Sequence, residues 1–177
     1  ELLLEVDFHV GKKQLKQILE KCIAAHGATG TAETMDNIKA LGYKYSTRAA
    51  MTVSISDMTV PEAKKDILAE AQKTVELITD KFNMGLLTEE ERYKAVINTW
   101  YAADNQLTEA LMSGLDRYNN IFMMADSGAR GSQAQIKQLA GMRGLMADTS
   151  GRTIELPIKS NFREGLDVLE YFISAHG

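Results

Sequence analysis

The segment Asp126-Ser127-Gly128-Ala129-Arg130-Gly131-Ser132 places one arginine between two glycines and two serines, directly ahead of a helix. Glycines let backbone N–H groups approach a ligand, a helix N-terminus favours anions, and Arg130 adds a fixed positive charge. That combination suits a phosphate. A tight turn carrying a surface arginine fits the same residues, and spacing alone leaves both readings open. Ser132 with Gln135 forms an S-x-x-Q capping box for the helix that follows, which carries Ile136, Leu139 and Met142.

Little else in the sequence could do chemistry. His9, His26 and His176 lie far apart, with no partner at i+3 or i+4 to make a metal site. His26, near a helix C-terminus, is explained by the helix dipole. There is no GxSxG, Walker A or HExxH motif, and no trio of aspartates to hold magnesium for nucleotidyl transfer. A net charge of −4 and a pI near 5.4 argue against a chain whose main task is gripping nucleic acid. The single cysteine, Cys22, excludes an internal disulfide framework and reads as a small buried helical residue. No apolar run approaches the roughly 20 residues of a membrane span. The start, Glu1-Leu2-Leu3-Leu4-Glu5, is acidic where a signal peptide is basic, so the expected location is cytoplasmic, with no membrane partner. The missing initiator Met and the helical pattern at the C-terminus point to a piece of a longer chain.

The elements that must position these residues are mostly helical. At 177 residues the chain can bury one ordinary core or two small ones. Leu15, Ile18, Leu19, Cys22 and Ile23 recur at helical spacing until Gly27 stops the pattern. Thr31 can cap a second helix to about Leu41, with Met35 and Ile38 inward and Gly42 past its end. Thr52 to Ser56 alternates as an extended segment does. Pro61 suits a helical first turn, with Thr59 as its cap, and Ile67, Ala71, Val75, Ile78 and Phe82 form a seam. Gly85 breaks that helix, and Thr88 with Glu91 forms a T-x-x-E capping box opening the next. Its seam runs from Tyr93 through Val96 or Ile97, Trp100, Ala103 and Leu107 to Leu111. Two long helices joined by Met84-Gly85-Leu86-Leu87 must form an antiparallel hairpin, and the arm from Val60 to Asn83 spans about 36 Å. Asp148-Thr149-Ser150-Gly151 reads as a turn, Thr153 to Ile158 as a short extended segment, and Asn161 with Glu164 as the cap of a last helix. The expected fold is therefore mainly α with short β segments: a long helical hairpin projecting from a small helical body. Its parts are a body at 1–59, the hairpin at 60–114, a loop and helix with short strands at 115–159, and a final helix from 160.

These residues resemble a known family. Phe122 to Ser132, Gln135-Ile136-Lys137-Gln138-Leu139-Ala140-Gly141-Met142-Arg143-Gly144-Leu145-Met146, and Asn161-Phe162-Arg163-Glu164-Gly165-Leu166 through Tyr171-Phe172-Ile173-Ser174-Ala175-His176-Gly177 are similar to the β′ subunits of bacterial DNA-directed RNA polymerases. So are Gly42 to Tyr45, Ile55 to Met58, and Gly85 to Thr88 with Glu91-Arg92-Tyr93.

The resemblance implies the region that lines the secondary channel, through which ribonucleoside triphosphates enter during transcription. It implies that Arg130 and Gln135 meet substrate phosphates. Gly85, Leu86, Leu87, Glu90, Arg92 and Tyr93 would form the rim-helix docking site for factors of the Gre and DksA type, with Glu90 and Arg92 facing outward. Met142, Arg143 and Met146 would lie beside inhibitor sites, and Phe172 and His176 on the start of the bridge helix. The same resemblance implies the β, α, ω and σ subunits as partners, with DNA and RNA in the full complex. Mg2+ and Zn2+ would be held elsewhere in such a subunit, leaving no catalytic residue, metal or cofactor in this chain and no nucleotide incorporation by it alone. An autonomous helical adaptor that binds proteins through the hairpin is the alternative, but it needs neither the glycine-arginine loop nor a helix cut by the chain end.

Overall fold

The computed structural model describes residues 6–175. In chain order it contains α1 (Lys12–Arg48), a 3-10 turn (Ile55–Asp57), α2 (Lys64–Asn83), α3 (Glu89–Gly114), α4 (Asn120–Asp126), α5 (Gln133–Ala140) and α6 (Val168–Ser174). The only β pairing among the described residues is two isolated antiparallel bridges, Gly144 with Ile158 and Ala147 with Thr153. The fold is mainly α. The chain divides into two compact units, Glu1–Ser54 with Arg117–Gly131, and Ile55–Asp116 with Ser132–Gly177.

In the first unit, α1 bends at Gly27, whose φ of 70° suits a residue without a Cβ. Beyond the bend the Thr31 hydroxyl donates to the Gly27 carbonyl at 2.7 Å, and the Cys22 thiol donates to the Thr34 hydroxyl at 3.6 Å. Cys22 is half-buried rather than fully buried. The second arm corrects the expected stop at Leu41: it continues to Arg48 with Gly42 inside it. A single interior glycine costs only about 1 kcal/mol against alanine, and nothing from Tyr43 to Arg48 breaks a helix. Met35 is also exposed, contrary to its expected inward place. The short α4 was not anticipated. Asn119 caps it, its side-chain oxygen accepting from the Ile121 and Phe122 amides at 3.0 and 3.3 Å.

In the second unit the expected hairpin is formed by α2 and α3. Ala71, Val96, Trp100 and Ala103 are buried between them, with Ile67, Leu68, Val75 and Ile78 packed alongside. The turn closes as a Schellman motif. The Leu86 amide donates to the Lys81 carbonyl and the Gly85 amide to that of Phe82, with Gly85 at φ 76°. Thr88 and Glu91 make the capping box at the start of α3. Thr59 does not cap α2, which begins three residues after Pro61 without a side-chain cap. Thr52 to Ser56 forms no strand, since the chain turns into the 3-10 helix at Ile55.

The hairpin is covered along one side. Residues 141–161 run against α3, putting Leu145 into the hairpin core and burying Met142 and Ile158 completely. This strap is anchored by Asn161, which is fully buried. Its Nδ2 donates to the Gly141 carbonyl at 3.0 Å, and its Oδ1 accepts from the Glu164 amide at 2.9 Å. The Phe162 and Arg163 amides donate to the Gln138 and Leu139 carbonyls, satisfying the C-terminus of α5. Glu164 also takes the Lys64 ammonium at 2.6 Å, which fixes the first turn of α2.

Asn161 and Glu164 thus make the reciprocal contacts read from the sequence, yet they close a turn and not the last helix. Gly165 follows at φ 84°, outside the right-handed helical region, and α6 starts only at Val168 with its own capping box from Asp167 and Glu170. Asn161→Ala removes both side-chain bonds and leaves the Gly141 carbonyl buried without a partner. The expected loss is about 1–3 kcal/mol, read as a lower urea midpoint with an unchanged m-value.

Candidate functional site: the hairpin tip and the glycine-arginine loop

The tip of the second unit places Met84 and Leu86 in solvent, 73% and 69% exposed, while Leu87 is half-buried. Beside them the first turn of α3 carries Glu89, Glu90 and Glu91, whose charges favour the helix N-terminus. Glu90 faces outward, paired with Lys94 at 2.7 Å in an open setting where such a pair contributes little. Arg92 does not face outward with it. Its guanidinium donates to Glu155 through Nη1 at 2.7 Å and Nη2 at 3.0 Å, to Glu89 through Nε at 2.9 Å, and lies 5.4 Å from the Phe82 ring centre. The sequence expectation for Arg92 is corrected: a carboxylate 63 positions away pulls it onto the strap.

Tyr93 is likewise engaged. Its hydroxyl donates to the Thr153 carbonyl at 2.9 Å, and Arg152 lies over its ring at 4.4 Å. The strap's own turn is the one read from the sequence, with Asp148 Oδ1 accepting from the Ser150 amide and hydroxyl and the Arg152 amide. Arg152, Thr153 and Glu155 were missed as members of this site. Nothing local marks them, because their partners lie about sixty residues upstream.

The glycine-arginine loop differs from the expected phosphate cradle. Gly128 and Gly131 adopt φ 74° and 88°, but the amides of Gly128, Ala129 and Arg130 are already committed. The Gly128 amide donates to the Ala125 carbonyl, that of Ala129 to the Ser127 hydroxyl, and that of Arg130 to the Met124 carbonyl. The Arg130 side chain is exposed. Gln135 uses its Oε1 to accept the Ser132 amide at 3.0 Å, completing the capping box of α5. The two units divide between Gly131 and Ser132, so Arg130 belongs to the first and Gln135 to the second.

Met142 is fully buried, Met146 half-buried, and the Arg143 guanidinium lies 5.0 Å from the Phe162 ring centre. Phe172 is exposed on α6, edge-on to Tyr171 at 5.8 Å, and His176 lies outside the described residues. No three His, Cys, Asp or Glu side chains gather as a metal site among the described residues. Among them no helix is long and apolar enough to cross a membrane.

The sequence of this chain matches two family models: RNA polymerase Rpb1, domain 3, over residues 6–58, and RNA polymerase Rpb1, domain 4, over residues 87–163. Among curated relatives, the DNA-directed RNA polymerase subunit beta′ of Lachnoclostridium phytofermentans is 78% identical over 176 residues, 99% of this chain. Those of Clostridium acetobutylicum and Clostridioides difficile are 60% and 59% identical over 100% and 98% of it. The chain belongs to the bacterial RNA polymerase β′ subunit family. It spans 14–15% of the length of these relatives.

The three tip glutamates have depressed carboxyl pKa values, each with its own cause. Hydrogen bonds from Arg92 lower Glu89, those from Lys94 lower Glu90, and those from the Thr88 amide and hydroxyl lower Glu91. A carboxylate lowered in the folded state stabilises it above its unfolded value and loses that effect as pH falls through the folded value. The tip should therefore be insensitive to pH between 7 and 5 and fray below about 4.3, the ordinary glutamate value. Amide exchange at Thr88 to Arg92, followed by NMR from pH 7 to 3, checks this. Glu91→Gln, which keeps the cap acceptor without its charge, should reduce the response.

Proposed function

We propose that this chain acts in transcription, as the part of a DNA-directed RNA polymerase largest subunit that lines the nucleotide-entry channel and offers a hairpin tip to regulators. The observation that carries this reading is 78% identity to a polymerase β′ subunit along 99% of the chain. In this reading its partners are the β, α, ω and σ subunits in the cytoplasm, the DNA and RNA of the complex, and ribonucleoside triphosphates. Catalytic carboxylates come from other parts of the subunit, and α6 begins the bridge helix.

The exposed Met84 and Leu86 beside outward Glu90 support a small, transient docking site for Gre- or DksA-type factors. Arg130, exposed with its own amide and those of Gly128 and Ala129 occupied, supports contact with substrate through the side chain alone. Gln135, held in its capping box, would act by fixing the start of α5.

Two measurements on assembled polymerase test this. Leu86→Ala with Glu90→Ala should weaken binding of a Gre-type factor about tenfold, the scale of one well-placed contact pair. Unchanged binding would move the docking site elsewhere. Arg130→Ala should remove one charge-assisted contact, of order 1.5–3 kcal/mol, with the lower end expected for a solvated channel. That appears as an apparent KM for nucleotides raised about tenfold, with open-complex formation unaffected, and Arg130→Lys recovers part of it. Identical nucleotide titrations for wild type and Arg130→Ala would take Arg130 off the substrate path.

A further inference from the structure

Glu155 lies on the strap, not on the tip, and the contacts described for it run through Arg92. The pair is a two-pronged fork, with Nη1 to Oε2 at 2.7 Å and Nη2 to Oε1 at 3.0 Å. Such a fork fixes direction as well as distance, because both partners are planar. Arg92 in turn spans the hairpin turn. Its guanidinium lies over Phe82 in the last turn of α2 and bonds Glu89 in the first turn of α3. Tyr93 adds a second tie to the strap through the Thr153 carbonyl. Exposure separates the roles: the Arg92 side chain is 16% exposed, whereas that of its neighbour Glu90 is 77% exposed. A partner meeting the tip touches Glu90, Met84 and Leu86, and Arg92 is committed inward.

We infer that Glu155 is a positioning residue for docking: acting through Arg92, it sets the direction in which the Met84 to Glu91 tip meets its partner. The strap and the hairpin turn then form one recognition unit. The tip's own chemistry, two exposed apolar side chains beside the outward Glu90 with its partner Lys94, fits a partner whose contact carries an apolar residue flanked by charged groups of both signs. This inference rests on the docking reading above and names a residue that reading does not contain.

The test uses full-length subunit reconstituted into polymerase, with a purified Gre-type factor as the probe and its Kd as the readout. Glu155→Gln should weaken binding about 3- to 10-fold, in the lower part of the range of coupling seen between directly paired residues. Glu155→Asp keeps the charge and should recover part of that loss. In an Arg92→Ala background Glu155→Gln should add nothing, since the path through Arg92 is already gone. Factor-free elongation should be unchanged. Hydrogen exchange should quicken at residues 84–93 and stay slow across the Ala71 to Ala103 core.

Unchanged Kd in Glu155→Gln, or an effect that adds in full to Arg92→Ala, overturns the inference. Opening of the hairpin core does so too, because the residue would then be merely structural. Leu86→Ala with Glu90→Ala reads the docking site itself. Silence there overturns the docking reading and this inference together, whereas loss there with silence at Glu155 overturns the inference alone.

Discussion

The second unit depends on a single apolar seam that is longer than its hairpin partner can cover. Along α3, Val96, Trp100, Ala103, Leu107 and Leu111 are all buried. The hairpin core joins α2 to the first three of these, through Ala71 with Ile67, Val75 and Ile78 around it. The rest must be shielded by something else. α5 packs on α3, while the strap adds Leu145 to the hairpin core and buries its own Met142 and Ile158. Lys159 shows the arrangement in one side chain, its ammonium lying 5.1 Å from the Trp100 ring centre while donating to Gln72 of α2 at 3.0 Å. Hydrophobic burial at a few kcal/mol for each large side chain makes that cover obligatory.

Covering a helix with irregular chain has a consequence for polar groups. The strap pairs part of its backbone with itself, as between Gly144 and Ile158 and from the Ile154 amide to the Met146 carbonyl, and side chains serve further groups. Asn161 serves the Gly141 carbonyl, Tyr93 the Thr153 carbonyl, and Asp148 the amides of its own turn. The strap also makes a backbone demand. Gly144 adopts φ 83°, beside the Asp104 carboxylate that Lys137 pairs at 2.7 Å, and that left-handed conformation favours glycine.

This construction decides which side chains the tip leaves in water. A free helical hairpin of this length would bend and twist about its turn. Here, ties on one flank from Arg92 and Tyr93 hold the turn, while Met84, Leu86 and Glu90 stay in water. The glycine-arginine loop follows a similar division of labour, the Gly128 and Arg130 amides tied back to the carbonyls of α4 and Arg130 itself left exposed.

The sequence by itself determined what is decided within about four residues. The boxes at Thr88 with Glu91 and Ser132 with Gln135, the Gly27 bend, the Gly85 turn and the α2–α3 seam all follow from local hydrogen bonds, glycine's access to positive φ and helical periodicity. The Asn119 cap of α4 belongs to the same class, a legible signal ahead of Ile121-Phe122-Met123-Met124 that the helical reading passed over. Other features were settled only by tertiary structure. Gly42 reads as a helix stop but costs too little to end a helix. Asn161 with Glu164 reads as a helix start, yet Asn161 is needed by Gly141 across the fold and Gly165 turns the chain away. Arg92 reads as a surface charge, because its spacing places it off the seam. Its direction is set by Glu155, and no pattern confined to one helix contains a partner 63 residues away.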